Sequence, residues 1–224
     1  MFREKIPLWI LIGGLALTFI AGWINAIGFL GVERQAVSHL SGTSTLIGID
    51  LAQPIDQTSW FPAKVLLFFF TGAVLSGAII RQHTLKLGRR YGVALAIESV
   101  LLFAAAYCLS HYTHLGYYFA AMACGLQNAM ASSYSGSVIR TTHLTGMFTD
   151  FGIACGHFLL RHPIELRRFR LYGVLISGFI LGSFSGAMAY SHFGYNAMFA
   201  PAVLCAIAAM TYPQWARKKT KAEG

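Results

Sequence analysis

The chain has 224 residues, of which 56% are hydrophobic and only 11% are charged, and its formal net charge is +9. Soluble proteins carry roughly 25% charged residues, so this composition excludes a protein whose whole surface meets water. The basic residues stand in short clusters between apolar segments rather than in one stripe. This pattern excludes nucleic acid as the partner and favours the lipid bilayer.

Eight apolar segments follow one another in the chain with short connections. They cover residues 7–31, 36–52, 62–80, 91–112, 115–138, 142–160, 171–191 and 195–213. Most of them approach the roughly 20 residues that a helix needs to cross the hydrocarbon core. The first segment exceeds the roughly 7 to 15 apolar residues of a secretion signal, so we expect it to be retained as a span.

Basic residues predict which segments cross the membrane, because cytoplasmic loops carry an excess of Lys and Arg. Three basic clusters decide the topology, at 81–90, 161–170 and 217–221. They share one side only if segments 36–52 and 142–160 are broken or re-entrant, and Arg34 and Lys64 are then the only basic residues outside. We therefore predict an all-α, multi-pass inner (plasma) membrane protein with about six transmembrane helices, two short broken or re-entrant segments and both termini cytoplasmic.

The two segments predicted to be broken carry similar polar motifs. These are HLSGTST at 39–45 and HLTGMFT at 143–149. Their similarity predicts a first repeat over 1–112 and a second repeat over 113–224 within one membrane domain. Each repeat then has three spans and one broken segment, an odd number, so the two halves are inverted relative to each other. Inverted repeats are an architecture of transporters and channels.

Small residues recur every four positions in the first and seventh apolar segments. The two stripes are Gly14, Thr18 and Gly22, and Gly178, Gly182 and Gly186. Such stripes let two helix backbones approach closely inside a membrane. They predict helix packing within the chain, and the same stripes could serve a homodimer.

Other residues are expected to shape or anchor the spans. Pro201 falls near the middle of the last predicted span, where we expect it to bend or break the helix. Aromatic residues near segment ends are typical of the membrane interface, and we interpret them as anchors without a binding role. They are Trp9, Trp60, Tyr91, Tyr112, Tyr212 and Trp215.

Polar side chains at membrane depth are the candidates for a substrate site, because keeping them there is costly. Across an inverted repeat, the two histidine motifs should converge near the midplane, and amides at equivalent places suit a neutral or zwitterionic substrate. The candidate binding residues are Asn25, His39, Ser41, Thr43, Gln127, Asn128, His143 and Thr145. The alternative is structural: hydrogen bonds between helices for the amides, and a packing role for the histidines.

Two acids within apolar segments, Asp150 and Glu98, are the candidates for proton coupling. Asp150 lies two helical turns from both His143 and His157, so the three could share a face. The alternatives are that Asp150 caps its segment or pairs with Arg140, and that Glu98 only makes a hydrogen bond between helices. We expect no metal site, because no carboxylate or cysteine joins the histidines at ligand spacing.

The motifs resemble those of the YoaK family of bacterial membrane proteins, which is built around a domain of unknown function. The resemblance rests on Asn25-Ala-Ile-Gly-Phe, on SHLSGTST at 38–45 and above all on THLTGMFTDFG at 142–152, and it covers essentially the full length. It implies an inner-membrane protein of roughly six spans and, more loosely, transport of a small molecule. The second motif of that family usually reads Thr-Gly-Thr, whereas this chain has Met147 after Gly146.

The leading hypothesis is a proton-coupled secondary transporter of a small organic molecule, with a midplane site between the histidine motifs. The alternative is a passive solute channel, since the inverted plan also resembles aquaporins, although their asparagine-proline-alanine boxes are absent. An enzyme is not expected, because no Gly-x-Ser-x-Gly nucleophile motif occurs. No nucleotide cofactor is expected without a phosphate-binding loop, and a scaffold or sensor is disfavoured by the cost of buried polar groups.

Overall fold

The computed structural model describes residues 7–55, 58–80, 89–135, 141–162 and 165–223. These residues form α-helices and no strand, which confirms the all-α prediction. In chain order they are α1 (Leu8–Leu30), α2 (Leu40–Leu51), α3 (Phe61–Ile79), α4 (Arg89–Ser110), α5 (Leu115–Ser135), α6 (Leu144–Leu159), α7 (Leu166–Phe193) and α8 (Phe199–Glu223), with a 3₁₀ segment at Gly194–Met198 between the last two. Several basic residues used for the topology, among them Arg81, Lys86 and Arg140, lie outside the described residues.

Four helical stretches in the described part of the chain are long and apolar enough to cross a membrane. They are Leu8–Leu30, Phe61–Ile79, Arg90–Ser110 and the continuous stretch Leu166–Ala216, which contains α7 and the part of α8 up to Ala216. The remaining long helix, α5, is of spanning length but less apolar, because it ends in Gln127, Asn128 and several serines. Each of the six predicted spans corresponds to one of the long helices.

The two motif segments are short, continuous helices and are therefore not broken, while their re-entrant course stays a prediction. Helix α2 has 12 residues and α6 has 16. Both are continuous and begin directly after His39 and His143, and for α2 the irregular backbone lies in front of the helix, over 31–39. At 1.5 Å per residue they are about 18 and 24 Å long, which is shorter than the roughly 30 Å hydrocarbon core.

The predicted small-residue stripes of α1 and α7 pack against each other within the chain. A Cβ at Gly22 would collide with the carbonyl of Phe179, and a Cβ at Gly182 would collide with that of Phe19. The prediction of close packing is confirmed, and the stripes are used inside one molecule rather than left open for a homodimer.

The same crossing recurs between α3 and α5, which the sequence reading missed. A Cβ at Gly125 would collide with the carbonyl of Phe69, and a Cβ at Gly72 would collide with that of Met122. Gly22 therefore corresponds to Gly125, Phe179 to Phe69 and Gly182 to Gly72. The signal available in the sequence was the pair of small residues Gly72 and Ser76, four positions apart.

The remaining helices complete the bundle around these two crossings. Helix α4 packs against both α5 and α8, while α2 packs mainly on α3 and α6 mainly on α7. Pro201 does not bend the last span, contrary to expectation. It lies in the first turn of α8, where a helix needs no backbone donor.

Candidate functional site

A cavity of about 640 Å³ lies between α1, α4, α5 and α8. The described residues that line it are uncharged and mostly apolar or aromatic, and several of them, among them Ile12, Leu204 and Trp215, are also exposed on the surface. The lining residues are Trp9, Ile10, Ile12, Gly13, Gly14, Ala16, Leu17, Phe19, Ile20, Tyr91, Leu95, Met130, Ala131, Leu204, Ala208, Thr211, Tyr212 and Trp215. Its volume lies within the roughly 300 to 1,000 Å³ of small-molecule sites.

The cavity lies where α1 and α8 separate, between a contact of α1 with the 3₁₀ segment before α8 and a contact of α1 with α8 itself. At one end the Trp23 Nε1 group donates a hydrogen bond to the carbonyl of Ala197, at 3.0 Å. At the other end the rings of Trp9 and Trp215 pack with their centroids 5.3 Å apart. Between these contacts the two helices leave the space that the cavity occupies.

Four aromatic rings form a continuous wall at the Trp9 end of the cavity. The ring centroids of Trp215 and Tyr212 are 6.2 Å apart, and those of Tyr212 and Tyr91 are 6.3 Å apart. These distances lie in the range of favourable aromatic pairs. These four residues, interpreted from the sequence as interface anchors without a binding role, also line the cavity.

The aromatic wall was predictable only in part. Trp60 and Tyr112 are exposed on the surface, as interface anchors should be. The aromatic residues of the cavity also lie near segment ends, so position in the sequence does not distinguish them from Trp60 and Tyr112. The spacing of Tyr212 and Trp215, one helical turn apart on α8, was the signal that a shared face existed.

Glu98 lies at the buried junction of α4, α5 and α8, next to the cavity. Its side chain is fully buried, and its Oε1 atom accepts hydrogen bonds from Gln127 Nε2 at 2.8 Å and from Cys205 Sγ at 3.4 Å. Glu98 Oε2 has no hydrogen-bond partner within the described part of the chain, and neither does Gln127 Oε1. The structure thus brings together two of the predicted site residues, one from each half.

Residues one helical turn from this cluster line the cavity on all three helices. Leu95 precedes Glu98 by one turn, Met130 follows Gln127 by one turn, and Ala208 follows Cys205 by one turn. One turn of an α-helix rises about 5.4 Å. The acid therefore lies directly behind one end of the cavity wall.

A network of tyrosines closes the other end of the bundle, next to the start of the loop after α1. Tyr195 accepts a hydrogen bond from the backbone amide of Val32 at 2.8 Å, and its hydroxyl lies 3.1 Å from that of Tyr117. A Cβ at Gly31 would collide with the Tyr117 hydroxyl, so this close approach needs glycine. The network ties the loop after α1 to α5 and to the 3₁₀ segment.

His39 lies at the start of α2, away from the cavity and the Glu98 cluster. Its ring packs between those of Phe29 and Phe179, at centroid distances of 5.8 and 5.9 Å. With Thr43 it lines a second hollow of about 350 Å³. Thr43 is the only described residue of α2 that is buried, and it accepts a hydrogen bond from Gln35 Nε2 at 3.2 Å.

Asn25 positions the backbone in front of α2. Its Nδ2 group donates to the Ala21 carbonyl and to Ser38 Oγ, both at 2.7 Å, and its Oδ1 accepts from the Ser38 amide at 3.2 Å. Every polar group of the amide is used within the chain. This arrangement favours the structural alternative over substrate binding at this residue.

The motif of the second half faces outward. His143, Thr145 and Asp150 are exposed on the peripheral helix α6, and Ser41 is similarly exposed on α2. His39 and His143 line no common cavity, so the described residues do not form the predicted site between the two motifs. Asp150 lies near Tyr172 of α7 rather than near Glu98.

The two predicted repeats differ in structure at two further positions. Asn128, which corresponds to Asn25, is half-buried, and its Oδ1 has no hydrogen-bond partner among the described residues. Met147 occupies the position that corresponds to Thr43 and is the buried residue of α6, packed with Leu171 and Tyr172. The motif position that departs from the family pattern is therefore a core contact in this chain.

The long apolar helices of the described part of the chain are those of a helical integral membrane protein. The chain belongs to the family described as protein of unknown function (DUF1275), whose model matches residues 13–211. The membership confirms the resemblance drawn from the motifs.

One curated relative is similar to this chain: the UPF0700 transmembrane protein YoaK of Bacillus subtilis (strain 168). It is 26% identical over 136 residues, which are 58% of this chain and 60% of that protein. The match thus covers less than two thirds of the relative. No solved structure matches the chain.

Proposed function

We propose that the chain is a proton-coupled secondary transporter of a small organic molecule in the bacterial inner membrane, with both termini in the cytoplasm. One observation carries the proposal: residues one helical turn from the fully buried carboxyl group of Glu98 and from its partners line a cavity of about 640 Å³. A buried acid at membrane depth is costly to keep and marks proton or substrate pathways in membrane proteins.

The two helix crossings support an arrangement of two related halves. Gly22 and Gly182 make the same pair of backbone contacts between α1 and α7 that Gly125 and Gly72 make between α5 and α3. One helix of each half therefore crosses one helix of the other half in an equivalent way. Exchanged contacts of this kind are expected of internal repeats that assemble around a pseudo-twofold axis.

The halves differ where the cavity lies, and this difference supports a carrier. If α1 corresponds to α5 and α8 to α4, the pair α1–α8 is the counterpart of α5–α4. Helix α4 packs along α5, from Gly116 to the hydrogen bond between Gln127 and Glu98. The pair α1–α8 instead borders the cavity, which is partly open to the surface, so a second state would close this pair and open α4 from α5. Alternation of this kind between related halves moves a solute across the membrane.

We place the solute in this cavity rather than between the histidine motifs. The exposed positions of His143 and Thr145 leave them outside any enclosed site with His39. Glu98 takes the proton-coupling role, because it is the acid next to the cavity. Titratable neighbours packed near it are the thiols of Cys124 and Cys205, and the phenols of Tyr91 and Tyr212 line the adjacent cavity.

Cysteine accessibility tests the carrier against a passive channel. In a variant that keeps the buried Cys205, a hydrogen-bond donor to Glu98, and has alanine at the other three cysteines, Ala208→Cys should react with a membrane-impermeant thiol reagent from one side at a time, and pH should shift which side reacts. Val203→Cys, on the exposed surface of the same helix, is the matched control and should react from neither side. Simultaneous reaction of Ala208→Cys from both sides would identify a channel.

Two carboxyl variants test the coupling residue in the same assay. Glu98→Gln should remove the effect of pH on Ala208→Cys accessibility, while Asp150→Asn should leave it unchanged. Loss of the pH effect in Asp150→Asn alone would transfer the coupling role to the second-half motif. An unchanged response in both variants would remove proton coupling through either acid.

A further inference from the structure

The geometry points to a hydrophobic organic cation as the substrate, bound against the aromatic wall and exchanged for a proton of Glu98. This inference rests on the proposed function, since it names the substrate class of that transporter. It follows from three features of the cavity: its uncharged lining, its aromatic wall and the acid behind it.

The lining restricts the substrate to molecules with a large apolar surface. The lining side chains among the described residues are uncharged, and most are aliphatic or aromatic. A strongly hydrated solute such as a sugar or an amino acid would lose hydrogen bonds to water without replacement. A molecule whose charge is shielded by apolar groups avoids most of that loss.

The aromatic wall favours positive over negative charge. Trp9, Trp215, Tyr212 and Tyr91 present ring faces and edges in one continuous array. The negative face of an aromatic ring attracts a cation within about 6 Å of its centroid, and tryptophan is the strongest of these partners. No basic side chain is among the described residues that line the cavity, so none of these residues would repel a cation there.

Glu98 completes the site with one negative charge when it is ionised. Its Oε1 is held by Gln127 and Cys205, while Oε2 has no hydrogen-bond partner in the described part of the chain. The balanced exchange is that the Glu98 carboxylic acid releases its proton as the cation enters, and the carboxylate and the cation then form a neutral pair. Return of a proton to the carboxylate releases the cation, so the two ions move in opposite directions.

The test uses tetraphenylphosphonium, tetraphenylborate and triphenylphosphine oxide with the purified full-length protein in detergent. Tetraphenylphosphonium and tetraphenylborate share shape and surface but differ in the sign of their charge, and triphenylphosphine oxide is uncharged. Isothermal titration in buffers of different ionisation enthalpy reports both affinity and proton release. We expect tetraphenylphosphonium to bind and release about one proton, because one carboxyl group changes its protonation state.

Two variants connect this binding to the named residues. Glu98→Gln should abolish the proton release and weaken tetraphenylphosphonium binding about tenfold or more, which corresponds to at least one close charge contact. Trp9→Leu should weaken tetraphenylphosphonium binding about 2- to 30-fold, the range of a cation–π contact, and should leave the proton release in place. If Glu98→Gln fails to fold, the comparison of the three probes on the unaltered protein still tests whether the site prefers a cation.

The outcomes separate the substrate class from the transport function. Binding of triphenylphosphine oxide as tight as that of the cation, or tighter binding of tetraphenylborate, would overturn the inference. Flux of a neutral or anionic solute driven by a pH gradient, without tetraphenylphosphonium binding, would overturn the substrate class and leave the transporter standing. Cation binding with proton release but without tetraphenylphosphonium flux in liposomes would support the cation site and contradict the transport function.

Discussion

Polar side chains at membrane depth differ in this bundle in how completely they are hydrogen-bonded. Asn25 uses every polar group of its amide within the chain, whereas Glu98 and Gln127 each keep one buried oxygen without a partner in the described residues. Because buried polar groups are nearly always satisfied, an unpartnered buried oxygen is the exception that needs an explanation. The hydrogen bonds therefore favour a structural role for Asn25 and support the proposed coupling role of Glu98.

The Asn25→Ala variant should lower the stability of the protein. The change removes the partners of Ser38, which is buried in front of α2, and an unsatisfied buried donor or acceptor costs about 1–3 kcal/mol. The measurement is the free energy or midpoint of unfolding in detergent, with Ser41→Ala as the control because Ser41 is exposed. A variant as stable as the unaltered protein would contradict the positioning role and revive substrate binding at Asn25.

At the scale of helices, the two glycine crossings explain why the bundle holds together in lipid. Lipid tails are as apolar as leucine, so helices in a membrane gain little from the hydrophobic effect and depend on close packing. Gly22 with Gly182 and Gly125 with Gly72 allow backbone to touch backbone at two equivalent places. The peripheral helices α2 and α6 have no such crossing, and each rests mainly on one neighbour.

Substitution of Gly72 should be far more damaging than substitution of a neighbouring glycine in the same helix. A Cβ at Gly72 would collide with the backbone carbonyl of Met122, while Gly77 has no atom within 4 Å of the added Cβ. Gly72→Ala should cost about 1–3 kcal/mol because the crossing must separate, and Gly77→Ala should change stability by less than about 0.5 kcal/mol. Thermal unfolding in detergent measures both, and equal midpoints would show that the crossing does not carry stability.

At the scale of the whole molecule, the orientation of the chain in the membrane decides which end of the bundle faces the cytoplasm. Nearly all basic residues lie on one side in the predicted topology, with Arg34 and Lys64 on the other. On that topology the aromatic wall at Trp9 and Trp215 faces the cytoplasm and the tyrosine network at Tyr195 faces outward. The cavity would then represent a state sealed on the outer side, with its aromatic wall at the cytoplasmic end.

Labelling of intact cells tests this orientation. A single cysteine at Gln57 should react with a membrane-impermeant reagent from outside, while one at Ile164 should react only after the cells are opened. Both positions lie between apolar segments of the sequence and outside the described residues. Reaction of both positions, or of neither, in intact cells would contradict an odd number of crossings in each half.

The sequence alone predicted the apolar helices, the two motifs and the stripes on α1 and α7, because hydrophobic length and spacing along one helix are local properties. It also identified Glu98 and Gln127 as residues of interest, since polar groups in apolar segments are visible without a structure. Only the tertiary structure decided that these two residues meet and that the histidine motifs do not. Which faces of distant helices turn toward each other depends on packing summed over the whole bundle, as the separation of α1 from α8 around the cavity shows.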